Sequence, residues 1–187
     1  LAYMNSQDPW DDGPYRPFWE VVAALGVPVF FTLGSGLGQR GGQSVQRERD
    51  GYVDELRILM RWMERYPDVV CSLTHGFPWR AFLDGDKVVL PNEVWEPFSN
   101  AMCSLEVCIP VRMGDVFDYP YREMFPVVHE MVERIGANQL LWGTDMPFQN
   151  RFCTYRQSRT WLEKYCELEK DDLVKLMGGT AERILGF

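Results

Sequence analysis

The sequence predicts an α/β fold in which parallel strands alternate with helices. Four short apolar runs, rich in β-branched residues and bounded by turn residues, are typical of buried strands. Segments with helical periodicity separate them, which is the pattern of successive strand–helix units. With 187 residues, 46% of them hydrophobic, the chain is long enough to bury a core of this kind. Both an open, doubly wound sheet and a closed (β/α)8 barrel would account for this pattern.

The predicted elements follow one another along the chain. The strands are expected at Val27–Leu33, Val69–Thr74, Cys103–Ile109 and Gln139–Thr144. The first helix should begin near Pro17 and end at Gly26, because proline favours the first turn of a helix and glycine favours its end. Apolar residues at three- and four-residue spacing predict the other helices at Val53–Met63, Met124–Ile135, Tyr155–Cys166 and Lys170–Met177.

Two local features complete this prediction. Residues 80–100 interrupt the alternation of strands and helices, and the turn residues Asp84, Gly85 and Asp86 favour a small inserted hairpin. A last helical turn should follow Thr180, whose side chain is a suitable N-cap. We therefore expect one domain over residues 1–187 with an insertion at 80–100.

Composition and charge exclude several classes of partner. The net charge is −8, and the 19 lysines and arginines are scattered, which argues against binding to nucleic acid. No apolar run approaches the length of a membrane span. Five cysteines, an odd number without a Cys-x-x-Cys pair, indicate reduced thiols and a cytoplasmic protein. Because the chain opens at Leu1 without an initiator methionine, we expect it to be part of something longer.

Two residues at predicted strand ends are candidates for catalysis or metal binding, since both candidate folds bind ligands there. His75 follows the second strand, where an imidazole can bind a divalent metal or act as a general base. A buried histidine with both ring nitrogens satisfied is the alternative. Asp145 follows the fourth strand, and its carboxylate needs a metal, a cation or backbone donors. A simple turn carboxylate is the alternative for Asp145.

Other side chains near the strand ends could hold a substrate. Arg80 and Arg112 could bind an anion through bidentate hydrogen bonds, although solvated charges are common at such positions. Trp79 closely follows His75 and could form the wall of a pocket. The segment Gly36–Gly41 matches a dinucleotide-binding pattern, but the helix begins too late and no acidic residue follows at the expected distance. We therefore interpret it as a flexible loop over the site.

Four segments resemble a known family. Leu140–Pro147 resembles the last-strand motif of the amidohydrolase-related metal-dependent hydrolases, the group that includes aminocarboxymuconate-semialdehyde decarboxylase-like enzymes. The stretch Asp172–Gly186 is similar to the C-terminal helices of that family. Gly26–Gly34 resembles its fifth strand and Leu73–Gly76 its sixth.

The resemblance implies a (β/α)8 barrel, of which this chain covers about strands 4 or 5 to 8. It also implies one divalent metal, zinc or manganese, with Asp145 as the carboxylate that binds the metal or orients the water and His75 as base or ligand. The expected reaction is metal-assisted hydrolysis of a small carboxylated substrate. Nonoxidative decarboxylation of such a substrate is the alternative.

Two departures from the family pattern lead to further hypotheses. Thr32 stands where the fifth-strand histidine normally binds the metal, and the His-x-His of the first strand has no counterpart. A catalytically degraded barrel that only binds a ligand is therefore a second hypothesis. Four or five strand–helix units cannot close an eight-stranded barrel. We thus expect a homo-oligomer, or completion of the barrel by an N-terminal half.

Overall fold

The structure is a computed structural model that describes residues 9–33 and 45–186. The strands in these ranges are β1 (Val29–Phe31), β2 (Cys71–Leu73), β3 (Leu83–Asp84), β4 (Lys87–Val88), β5 (Cys103–Val107) and β6 (Leu140–Trp142). The α-helices are α1 (Arg16–Leu25), α2 (Val45–Arg65), α3 (Ile109–Met113), α4 (Phe125–Ile135), α5 (Tyr155–Tyr165), α6 (Lys170–Val174) and α7 (Thr180–Leu185).

The predicted parallel sheet is confirmed. Its strands lie in the order β1-β2-β5-β6, and each neighbouring pair is parallel. The register places Cys71 beside Val29 on one side and Cys103 on the other. Each strand is shorter than its apolar run, because the flanking residues form the connections to the helices. All four strands therefore present their carboxyl ends at one edge of the sheet.

Helix boundaries match the predictions where glycine ends a helix. Gly26 ends α1 with a left-handed φ of 62°, and Gly136 ends α4 with a φ of 87°. The helix predicted at Val53–Met63 is longer, because α2 begins at Val45 with mostly exposed polar residues before the apolar stripe. Periodicity finds only the part of a helix that is packed against the core.

The predicted hairpin is present within residues 80–100, where β3 pairs antiparallel with β4. The prediction that Thr180 caps the last helix is wrong. Thr180 is itself the first helical residue of α7, and its hydroxyl donates to the carbonyl oxygen of Ala137 at 2.9 Å. A buried carbonyl needs a donor, and the Thr180 hydroxyl is 43 positions away in sequence but adjacent in the fold.

Aromatic side chains join α1 and α2 to the first strand of the sheet. Trp62 lies edge-on to Phe31 and to Trp19, with ring centroids 5.0 and 5.4 Å apart, and all three side chains are buried. The indole N–H of Trp19 donates to the carbonyl oxygen of Trp10 at 2.6 Å. This core packs against β1, which is an edge of the sheet within the described residues.

The five cysteines are buried and free. No helix within residues 9–33 and 45–186 combines the length and the apolar character that crossing a membrane requires.

Candidate active site

The carboxyl edge of the parallel sheet gathers polar side chains from all four strands. Thr32 follows β1, His75 follows β2, Glu106 lies near the end of β5 and Asp145 follows β6. All four residues are half-buried. This edge therefore brings together the two residues that the sequence marked as catalytic candidates.

His75 and Asp145 face each other across this edge. The Nε2 atom of His75 lies 3.7 Å from Oδ2 of Asp145, and each side chain is 27% exposed. This distance is too long for a hydrogen bond. The two atoms therefore leave room between them for a cation.

Thr74 holds the other ring nitrogen of His75. Its hydroxyl lies 3.2 Å from Nδ1 of His75, donates to the carbonyl oxygen of Phe31 at 3.2 Å, and lies 2.7 Å from the hydroxyl of Thr32. With the Thr74 proton on Phe31, the Thr74 oxygen accepts from Thr32 and from the Nδ1–H of His75. The proton is assigned to Nδ1 from this hydrogen-bond pattern, and Nε2 is the ring nitrogen that faces Asp145.

Glu106 is a site residue that the sequence reasoning missed. The backbone N–H of His75 donates to its Oε2 at 2.7 Å, which links the end of β2 to β5. A charged residue in the otherwise apolar run of β5 was the signal that could have found it, because such a residue needs a partner when half-buried.

Both His75 and Asp145 have left-handed backbones, with φ values of 66° and 53°. Non-glycine residues rarely adopt this conformation, and they are concentrated at functional sites where the surrounding structure enforces them. The next residue, Gly76, also has a positive φ of 76°, and a Cβ atom there would lie 2.5 Å from the Trp79 ring. The turn after β2 is therefore fixed by several contacts at once.

The two candidate arginines lie together but in different surroundings. Arg80 is exposed, pairs with Asp115, and donates from Nε to the carbonyl oxygen of Arg112 at 3.2 Å. Arg112 is half-buried on α3, and burial, followed by repulsion from Arg80, lowers the pKa of its guanidinium. Cys108 and Asp145 oppose this effect on the pKa of Arg112. The guanidinium of Arg112 thus lies in the electrostatic field of the site, whereas that of Arg80 has a carboxylate partner.

Trp79 does not face solvent in this structure. It is 1% exposed, and its ring packs on Phe77 with centroids 5.2 Å apart. Its position beneath Gly76 makes it a support for the turn that carries His75.

Cys108, at the end of β5, does not supply a nucleophile. Its side chain is fully buried, and burial, together with the negative charges of Glu106 and Asp145, raises the pKa of its thiol far above the ordinary value. The thiolate is the reactive form of cysteine. The imidazole and the carboxylates are therefore the candidates for chemistry at this edge.

The donor atoms of His75 and Asp145 fit two positions of a metal site. Two ligands of a tetrahedral zinc ion lie about 3.4 Å apart, close to the separation of Nε2 and Oδ2. Thr32, at the position of the expected third ligand, offers only a neutral hydroxyl that Thr74 already engages. The part of the chain that the structure describes contains no group of three or more histidine, cysteine or acidic side chains arranged to hold a metal. The described residues thus bring together two candidate ligand atoms, His75 Nε2 and Asp145 Oδ2.

Other features lie away from this edge. A cleft of about 650 Å³ between α2 and the hairpin is lined by residues such as Arg49, Val53, Phe82 and Glu93, and by none of the strand-end side chains. His129 is exposed on α4. The predicted glycine-rich loop at Gly36–Gly41 lies outside the described residues.

Solved structures with the same fold include enzymes of two reaction types. An amidohydrolase from Burkholderia multivorans with bound zinc is 14% identical, with a TM-score of 0.70 over 95% of this chain and 58% of that one. 5-carboxyvanillate decarboxylase from Sphingomonas paucimobilis is 17% identical, with a TM-score of 0.63 over 100% and 57%. A dihydroxybenzoic acid decarboxylase from Polaromonas sp. JS666, with manganese and the inhibitor 2-nitroresorcinol, is 20% identical, with a TM-score of 0.61 over 95% and 55%.

At these identities the likeness establishes the fold alone, and the chain spans less than three fifths of each of these structures. The four-stranded parallel sheet is accordingly part of a (β/α)8 barrel, as predicted. No curated protein matches the sequence. The family model for amidohydrolases, however, matches residues 3–187, and the chain therefore belongs to the amidohydrolase family.

Proposed function

We propose that this chain carries the catalytic edge of a metal-dependent hydrolase that acts on a small carboxylated compound. The observation that carries the proposal is the 3.7 Å approach of His75 Nε2 to Asp145 Oδ2 at the carboxyl edge of the sheet. An imidazole and a carboxylate in this arrangement can activate a water molecule and move its proton. Membership of the amidohydrolase family supports the same chemistry.

In this proposal Asp145 binds the metal and His75 transfers protons at Nε2. A divalent metal bound there would polarise the scissile bond and lower the pKa of a water molecule. The zinc and manganese in structures of the same fold support a divalent metal at this edge. With the proton of the neutral imidazole on Nδ1 beside Thr74, Nε2 would be free to accept one from the attacking water.

Arg112 is the proposed anchor for the substrate carboxylate. A guanidinium binds carboxylates through paired hydrogen bonds, and partial burial strengthens such an interaction. The influence of Asp145 on the Arg112 pKa supports a position within reach of the site. Arg80 would hold Arg112 in place through its bond to the Arg112 carbonyl, since its own charge is paired with Asp115. Trp79 would support the same pocket from beneath the His75 turn.

The decisive experiment compares Asp145→Asn with Asp86→Asn in the intact protein. Asp86 lies on the exposed hairpin turn, so this control makes the same chemical change away from the site. We expect Asp145→Asn to abolish turnover and to weaken binding of zinc or manganese by about tenfold or more, because even changes behind a ligand cost that much. Asp86→Asn should leave both properties unchanged. Full activity of Asp145→Asn would contradict the assignment.

The same assay separates hydrolysis from decarboxylation. Carboxylated esters, lactones and amides would be offered together with hydroxybenzoic acids, and acid release would be measured beside carbon dioxide. The decarboxylases of the same fold favour the second reaction as an alternative. Carbon dioxide without hydrolysis would replace the first proposal by this alternative.

Thr32 favours one further candidate, a barrel that binds a ligand without chemistry, since a neutral hydroxyl is a poor substitute for a histidine ligand. Metal analysis of the intact protein decides between the two. Near-stoichiometric zinc or manganese would exclude the degraded barrel, and its absence after gentle purification would favour it.

We also propose that the sheet is completed in the assembled protein by a second copy or by further strands of the barrel. Within the described residues, β1 and β6 are its edges, and unpaired parallel edges seldom remain open. The helix α1 packs on β1 through Trp19 and Phe31, and its exposed Phe18, Val21 and Leu25 support coverage of this helix. The buried free cysteines are in keeping with a cytoplasmic location.

A further inference from the structure

Glu106 occupies an unusual place in the sheet. Side chains alternate between the two faces of a strand, so Ser104 and Glu106 of β5 share the face that carries Ser72 of β2. Leu73 pairs with Leu105, which places Glu106 beside Thr74 at the carboxyl edge. A carboxylate half-buried at the end of such a strand must be compensated by a donor.

The donor is the backbone N–H of His75, at 2.7 Å from Oε2. This hydrogen bond lies at the point where the chain leaves β2. A regular continuation of β2 would place His75 on the same face as Leu73, away from the face of Glu106. The left-handed φ of 66° at His75 breaks this alternation, and the Glu106 carboxylate holds the N–H of that same residue.

Gly143, beyond the end of β6, provides the space that Glu106 occupies. A Cβ atom at this position would lie 1.8 Å from Oε1 of Glu106 and 2.4 Å from its Cδ. The φ of Gly143 is not in the left-handed region, so an alanine could adopt its backbone. Glycine is therefore needed at 143 for room and not for conformation.

We propose that Glu106 is a positioning residue: its carboxylate fixes the left-handed turn at His75 and thereby aims the imidazole at Asp145. The catalytic importance of this role rests on the proposed function of His75. The structural part of the inference stands on its own, since it concerns one hydrogen bond and one backbone conformation. The two parts can be tested separately.

The chain offers a direct measurement because it contains only two histidines. Labelling with ¹⁵N-histidine gives two backbone amide signals, from His75 and from His129, and the exposed His129 on α4 serves as the internal reference. The variants are Glu106→Met and Glu106→Gln, which have similar volumes but differ in having an oxygen acceptor. Glu163→Gln, on the exposed face of α5, is the control for loss of a negative charge.

We expect Glu106→Met to move the His75 amide proton upfield and to speed its hydrogen exchange by about tenfold to a hundredfold, the loss of one bond to a charged acceptor. Glu106→Gln should retain most of the shift and protection, because its side-chain oxygen can accept the same bond. The His129 signal should stay in place in every variant. With an active preparation, Glu106→Met should lower kcat and leave KM nearly unchanged, and Glu106→Gln should restore much of kcat.

Unchanged shift and exchange at His75 in Glu106→Met would overturn the inference, and so would equal losses in the Met and Gln variants. If Glu106→Met does not fold, Gly143→Ala replaces it, since it displaces the carboxylate without removing it and should release the same amide. If the wild-type protein shows no turnover, the proposed function is contradicted, but the structural role of Glu106 is not. The amide signal of His75 would still decide the role of Glu106.

Discussion

Gly143→Ala is the substitution that most directly tests the packing of the candidate site. The new methyl group would lie 1.8 Å from Oε1 of Glu106, 2.4 Å from Cδ and 2.5 Å from Cγ. Contacts this short leave no room for a small adjustment, so the end of the Glu106 side chain must move away. Its bond to the N–H of His75 must then break.

The loss of stability can be estimated from the hydrogen bond between Glu106 and the N–H of His75. A hydrogen bond to a charged group contributes about 1.5–3 kcal/mol, and the half-buried amide of His75 loses its partner. We therefore expect the free energy of unfolding to fall by about 2–3 kcal/mol. For a chain of this size each kcal/mol corresponds to about 2–4 °C in Tm, so the Tm should fall by roughly 4–12 °C.

Urea denaturation of four proteins isolates the contact: wild type, Gly143→Ala, Glu106→Ala and the double variant. Removing the Glu106 side chain also removes the clash, so Gly143→Ala should cost little in the Glu106→Ala background. The coupling between the two positions should be about 2 kcal/mol. Additive effects, with a coupling near zero, would refute the reasoning.

Gly51→Ala is the matched control. Gly51 lies inside α2, and a Cβ atom there would meet nothing within 4 Å. Alanine is favoured over glycine in a helix by about 0.5–1 kcal/mol, so this variant should be more stable than the wild type. The same substitution should therefore lower the free energy of unfolding at position 143 and raise it at position 51.

Further predictions concern the core. Gln139→Leu should lower the free energy of unfolding by about 2–3 kcal/mol in urea, because the two N–H groups of the Gln139 amide are shared among three backbone carbonyls near the start of β5. Gln157→Leu, in the exposed cap of α5, should cost about 1 kcal/mol or less, and equal losses would contradict the argument. The cysteines should resist iodoacetamide at pH 8 until the protein is unfolded, as read by mass spectrometry, because burial raises the pKa of Cys166 to about 12 and that of Cys108 further. The folded state therefore keeps thiol protons that the unfolded chain loses above about pH 9, so stability should fall as the pH rises beyond that value, and a flat profile between pH 8 and 11 would count against it.

The placement of His75 and Asp145 at one edge could be predicted from the sequence because it depends only on topology. Parallel strands joined by helices must present their carboxyl ends together, so any residue that directly follows an apolar run belongs to that edge. Their separation and orientation could not be predicted. Both depend on left-handed backbones at the two residues, which apolar periodicity does not predict.

The contact between Glu106 and His75 could not be predicted from the sequence for a similar reason. Its bond to His75 spans 31 positions and depends on the register between β2 and β5. Apolar periodicity identifies strands but does not fix their register relative to one another. The pairing of Arg80 with Asp115 also depends on tertiary contacts. The sequence alone therefore could not distinguish Arg80 from Arg112 as an anion-binding residue.

Thr32 shows why the site must be judged as a network across the sheet. Compared with the family pattern, Thr32 is a missing metal ligand. In the structure its hydroxyl lies 2.7 Å from that of Thr74, which in turn lies 3.2 Å from Nδ1 of His75. A histidine at position 32 would add a possible ligand but remove the hydroxyl that supports Thr74. In the proposed function, the hydroxyl pair that stands in place of the histidine ligand is therefore also the hydrogen-bond partner of the proton-transferring His75.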